Sequence, residues 1–246
     1  MIIEPELLIC PHCEQKYSHI AFVSGNTFGA IYYSDGKRKA QMLYDEVAII
    51  KCVQCKQFVW VRDMEKAIVF SKVKSGRPGM YASIEERLAR REEIRSAQRE
   101  EKSLRETFAK EGVSTKPLTL EELAEALDAN VAKNEGEERH LRITLWRLFN
   151  DRIRNFWETP KESDLWETDE EKKLWNENLD ALYNLLDASV QDEQLMQAEI
   201  CRERSEFDRA IEILDGITED KYQKIVQEIR HHCQEGNPFV FRRNFS

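Results

Sequence analysis

Hydrophobic residues fall into three successive patterns along this chain, and each predicts a different kind of element. Up to about residue 74, short apolar runs rich in β-branched and aromatic residues (HIAFVSG, FGAIYYSDGK, VAII and FVWV) predict short strands. The SDG at 34–36 predicts a hairpin turn, because Asp and Gly tolerate positive φ. KSGRPG at 74–79 predicts a linker. From Tyr81 to Glu111 charge dominates, with eight basic and eight acidic side chains between Glu85 and Glu111, many three or four residues apart. Ile84 and Leu88, Ile94 and Ala97, and Leu104 and Phe108 add only a thin apolar stripe, which predicts an exposed helix. Two readings of it stay open, a solvated connector and a partner-binding or coiled-coil segment.

From Leu118 onward the period is that of amphipathic helices. TLEE at 119–122 has capping-box spacing, and Leu120, Leu123, Leu127 and Val131 follow on one face. A second helix carries Leu141, Leu145, Leu148 and Arg152 on a stripe, flanked by Phe149, Ile153 and Phe156. A third starts near Thr168 or Asp169 and carries Trp175, Leu179, Leu182 and Leu186. Three shorter helices follow, bounded by Ser205, Gly216 and Gly236. The expected fold class is α+β. A small β domain spans residues 1–74, a linker and charged helix span 75–117, and an all-α bundle spans 118–246.

Composition narrows the class. With 41% hydrophobic and 34% charged residues among 246, and few Gly or Pro, the chain reads as folded and helix-rich. No apolar run nears the ~20 residues that span a bilayer, so no membrane partner is expected. The opening MIIEPELLIC lacks the basic flank and long apolar run of a secretory signal, which makes a cytoplasmic protein the expectation. There, paired cysteines more often bind metal than form disulfides. The net charge of −9 is uneven: residues 1–111 sum to +3 and residues 112–246 to −12. Any contact with a phosphate backbone is therefore expected from the first part.

The candidate chemistry lies in two cysteine pairs, CPHC at 10–13 and CVQC at 52–55. A C-x-x-C turn brings two thiolates within reach of one ion, and two such turns supply the four ligands that a structural Zn2+ takes. Cys10, Cys13, Cys52 and Cys55 are the predicted ligands of one zinc ion, with no coordination position left for catalysis. The competing redox-dithiol reading needs a βαβ setting, which is absent from this pattern. His12 is expected to face solvent. Lys37, Arg38 and Lys39, with Tyr32, Tyr33, Phe58 and Trp60 as stacking residues, are the candidate nucleic-acid contacts.

On the second helix His140, Arg147, Asn150, Asp151 and Arg152 form a polar cluster, read as a structural network ahead of a ligand site. Arg152 falls on the apolar stripe and requires a carboxylate or carbonyl partner if buried. Cys201 and Cys233 are expected in the core rather than in a second metal site with His231 and His232. No phosphate-binding glycine loop, nucleophile elbow or H-E-x-x-H motif occurs.

The cysteine layout over residues 7 to 62 resembles a zinc ribbon. AEICRERSEFDRAIEIL at 198–214 resembles the centre of a tetratricopeptide repeat, with Ala198, Ser205, Phe207, Ala210 and Leu214 on the family's positions and Ser205 where glycine is usual. The combination, with the LR…LW…NDR stretch from Leu141 to Arg152, is similar to a group of bacterial proteins without an assigned function. That similarity implies a bacterial, cytoplasmic protein and supplies no activity. The chain as a whole is read as a non-enzymatic adaptor that contacts a protein partner, with nucleic acid at the β domain as the alternative.

Overall fold

The apolar run at the start of the chain turns back on itself at the first cysteine pair. β1 (Ile2–Ile9) and β2 (Lys16–Ser24) pair antiparallel, with Leu8 opposite Tyr17 and Leu7 opposite Ser18. Side chains alternate across a strand, so Tyr17 and His19 are buried while Ile20 points to solvent. A two-residue pair, β3 (Ile31–Tyr32) and β4 (Arg38–Lys39), flanks the predicted turn, where Gly36 has φ +75°. β5 (Ile49–Lys51) and β6 (Phe58–Trp60) form a second hairpin around the second cysteine pair, and β7 (Glu65–Lys66) returns alongside β1.

The charged helix α1 (Ile84–Glu111) starts at a capping box in which Ser83 and Glu86 bond each other's backbone N–H. Among its described side chains none from Ile84 to Leu104 is buried. Phe108 is buried, and Lys16 pairs with Glu111 one turn on at 2.5 Å. At Gly112 a Cβ would meet the Phe108 carbonyl oxygen at 2.4 Å, so only glycine lets the chain leave the helix here. It leaves into β8 (Val113–Ser114), which pairs parallel with β2 and completes a sheet of order β7-β1-β2-β8. The sequence pattern offered no sign of this last strand.

Among the described residues seven more helices follow: α2 (Leu120–Asp128), α3 (Glu135–Asp151), α4 (Glu162–Leu165), α5 (Asp169–Leu185), α6 (Gln191–Glu203), α7 (Phe207–Asp215) and α8 (Gln223–Gln234). Thr119 and Glu122 make the predicted capping box, and Thr168 caps α5. Leu141, Leu145, Trp146 and Phe149 of α3 are buried, as are Trp175, Leu179 and Leu182 of α5, and the two helices pack together. Each such side chain contributes roughly 1.5–3 kcal/mol on burial. α6, α7 and α8 share a core of Ala198, Cys201, Ala210, Leu214, Ile225, Ile229 and Cys233. The turn between α6 and α7 is tight because Ser205 takes φ +62°, a position that favours glycine.

The computed structural model describes residues 2–43, 45–67, 83–154 and 159–243. The predicted linker at 74–79 and Phe156 lie outside them. Among the described residues no helix is long and apolar enough to cross a membrane. The mixed fold is α+β. Its contacts group the chain into two units, Met1–Asn26 with Tyr44–Leu118, and Thr27–Leu43 with Thr119–Ser246. The sequence reading kept residues 27–43 inside the 1–74 β domain and set the charged helix apart. Here 27–43 groups with the helices, and α1 groups with the cysteine pairs. A buried acid, Asp35, accounts for the first difference.

Asp35 tops the β3–β4 turn and its side chain is fully buried in the second unit. It accepts hydrogen bonds from both terminal nitrogens of Arg154, from Asn150 Nδ2 at 3.2 Å and from the Lys37 N–H at 3.1 Å. Burial pushes its carboxyl up, but Arg154 and Arg147 outweigh this and hold it below the usual range. The last described residues run antiparallel beside the same segment, with Ser34 N–H donating to the Phe241 carbonyl at 3.0 Å and Arg243 N–H to the Tyr32 carbonyl at 2.9 Å.

Candidate metal centre

The two cysteine pairs sit in loops of the same construction. In the first, the Glu14 N–H bonds the Cys10 carbonyl at 3.0 Å, and the Cys10 N–H bonds the Gln15 carbonyl at 2.9 Å. In the second, Lys56 and Gln57 repeat both bonds on Cys52, at 2.9 and 2.8 Å. Glu14 and Lys56 each take φ +61°, at a cost of roughly 1–2 kcal/mol for a residue with a side chain. The sequence carries this duplication as C-x-x-C-x-Q written twice, a signal that the cysteine spacing alone does not use.

The loops bring all four sulfurs within 4.8 Å of one another. Cys10 Sγ and Cys55 Sγ are 3.9 Å apart, and Cys13 Sγ and Cys52 Sγ are 3.6 Å apart. Four sulfurs at tetrahedral corners ~2.3 Å from one ion stand about 3.8 Å from each other. A disulfide requires ~2.05 Å. The spacing therefore fits an ion at the centre, and the quartet could hold a structural metal. Cys10 and Cys52 are buried; Cys13 and Cys55 lie half-exposed on the outer side, and His12 is exposed as expected.

Around the sulfurs pack Leu8, Tyr17, Ile50, Val59 and Met64. Tyr17 has one more task. Its hydroxyl donates to Cys52 Sγ at 3.2 Å and accepts the Val53 N–H at 2.9 Å. Burial pushes the Cys10 thiol up to about 12. At Cys52 burial acts the same way, but the Tyr17 hydroxyl and the N–H groups of Cys55 and Gln54 reverse it and bring the thiol down to about 6. The Tyr17 hydroxyl and these N–H groups therefore favour the thiolate at Cys52, while burial disfavours it at Cys10. Sequence reasoning missed Tyr17, although its place on the inward face of β2, four residues past Cys13, was there to be used.

No protein-family model, curated protein or solved structure matches the chain. Its sites stand on their own geometry.

The other predicted residues separate. Arg147, Asn150 and Asp151 do share one network. Arg147 donates to the Asp35 carbonyl at 3.1 and 3.3 Å, Asn150 bridges the carboxylates of Asp35 and Glu203, and Asp151 joins Lys37 at 2.5 Å to Arg154 at 2.6 Å. Arg152 stands apart from it, half-buried, and finds the partner the sequence demanded in Glu171, through bonds of 2.6 and 2.8 Å. His140 is exposed on α3. A cavity of about 390 Å³ in this unit is lined in part by Asp35, Trp146, Met196, Tyr222 and Ile225, and by neither His140 nor Arg152.

Two further buried groups were not foreseen. Glu203 takes hydrogen bonds from Trp146 Nε1 at 2.6 Å and from Asn150, and burial beside Glu199 drives its carboxyl well above the normal range. Arg202, fully buried, is held by Glu199 at 2.6 and 2.8 Å and reaches the Asn237 and Phe239 carbonyls. Of the proposed nucleic-acid residues, Lys37 is half-buried in its pair with Asp151, Arg38 and Lys39 are exposed, and Tyr33 and Trp60 are buried. Cys201 and Cys233 are core residues.

Proposed function

We propose that this protein is a non-enzymatic adaptor whose cysteine-bearing unit is held together by one structural Zn2+ on Cys10, Cys13, Cys52 and Cys55. The observation that carries the metal is the sulfur spacing of 3.6 and 3.9 Å, which suits a tetrahedral thiolate site. A set of four sulfurs selects zinc or iron over harder cations, and a full set leaves no open position for a substrate. The zinc-ribbon-like arrangement would then fold on metal binding, and the units would offer surfaces to a protein partner. The satisfied state of the buried charges in the helical unit supports a structural role for them: Asp35, Arg154 and Arg202 all have charged partners within hydrogen-bond distance.

Elemental analysis of protein purified without chelator tests the metal. One zinc per chain is expected; no metal, or iron with visible colour, refutes the zinc. Affinity capture with the full chain, compared with a Cys13→Ser, Cys55→Ser variant, tests the adaptor. A partner retained by the first and lost by the second is expected. Nucleic-acid binding through Lys37, Arg38 and Lys39 is the weaker reading, because Lys37 already neutralises Asp151. Titration of labelled single-stranded RNA at low salt is expected to show no salt-sensitive binding.

A further inference from the structure

Resting on that reading of the metal, we infer that Tyr17 is a positioning residue of the centre. Its hydroxyl pins the second cysteine loop onto the first hairpin and carries part of the charge on Cys52 Sγ. Tyr17 belongs to β2, yet both of its hydroxyl contacts belong to the loop after β5: Cys52 Sγ at 3.2 Å and the Val53 N–H at 2.9 Å. The side chain is 2% exposed, so water cannot replace either bond. The hydroxyl is thus a bond between β2 and the second cysteine loop that needs no ion.

Four thiolates around a divalent ion leave two net negative charges in a largely buried place. A phenol O–H aimed at one sulfur disperses part of that charge and fixes the direction of the sulfur lone pairs. Loss of the hydroxyl also leaves the Val53 N–H without the acceptor that ties its loop to β2. Partners that orient metal ligands in this way typically change affinity 10- to 100-fold.

The test is Tyr17→Phe, which keeps the ring and its packing, in the full-length chain with Co2+ as the probe. Wild type is expected to bind one Co2+ with the intense thiolate-to-cobalt absorption of a four-sulfur site. The variant should bind 10- to 100-fold more weakly in chelator competition. Its charge-transfer band should move to lower energy, because a sulfur without the hydrogen bond releases electron density more easily. Placing 3-fluorotyrosine at position 17, which keeps the hydroxyl and strengthens it as a donor, should move the band the other way. It also serves if the Phe variant does not fold. Equal affinity and unmoved bands in a cobalt-binding wild type overturn the role of Tyr17 alone. A wild type that binds no cobalt overturns the metal site and this inference together.

Discussion

Asp35→Asn offers a sharp test of why residues 27–43 group with the helices. The substitution keeps the shape of the side chain and removes its charge. Arg154, whose side chain is only 3% exposed, is then left with Asp151 as its one acidic partner, and an amide N–H₂ faces donors from Arg154 or Asn150. Removing one member of a buried pair typically costs 3–5 kcal/mol, most of it from the charge left behind. In a unit of this size each kcal/mol shifts the midpoint by ~3 °C, so Tm should fall by roughly 10–15 °C. Urea unfolding followed by helical ellipticity gives the free energy directly, with an unchanged slope if the same surface is exposed. The double variant Asp35→Leu, Arg154→Met removes both charges and should recover most of the loss. An Asp35→Asn protein within about 1 kcal/mol of wild type, or a double variant as unstable as the single one, would refute the reasoning.

Three other outcomes are expected. Glu203 titrates above its unfolded value, so its contribution to stability is present in full below that value and declines as pH rises through the raised folded one. Wild-type Tm should therefore fall on the alkaline side, and Glu203→Gln should flatten that fall in melts between pH 5 and 9. Ser205→Gly relieves the side-chain penalty at φ +62° and should raise the stability of the helical unit by up to about 1 kcal/mol in urea unfolding; a loss would mean that the serine hydroxyl matters more than the backbone. Chelation of the metal should open the cysteine unit to trypsin at Lys51 and Lys56 while leaving most of the ellipticity of α2 to α8 in place. Concerted loss of both signals would contradict separate units.

Local signals were legible and distant ones were not. Thr119 and Thr168 announced their helices because a cap and its first turn lie within four residues. The cysteine quartet could be read because each half is a four-residue motif and thiolates have few other uses. The grouping of 27–43 with the helices escaped notice because Asp35 bonds Arg154, 119 residues away, and one acid in a hairpin turn looks like any other. The sequence showed that Arg152 needed a partner, but nothing in it singled out Glu171. β8 is two residues long and paired through β2, too short for any periodicity to reveal.

Ribosomal synthesis gives the Asp35 turn an awkward start. It emerges while Asn150 and Arg154, 115 and 119 residues downstream, have yet to be made. At ~5–20 residues per second that is a wait of about 6–24 s. Throughout it the acid must stay hydrated on a strand pair only two residues long, while the cysteines on either side are free to come together. A nascent chain can thus assemble its cysteine quartet early, yet no N-terminal fragment ending before Arg154 gives this turn the arginine that holds it.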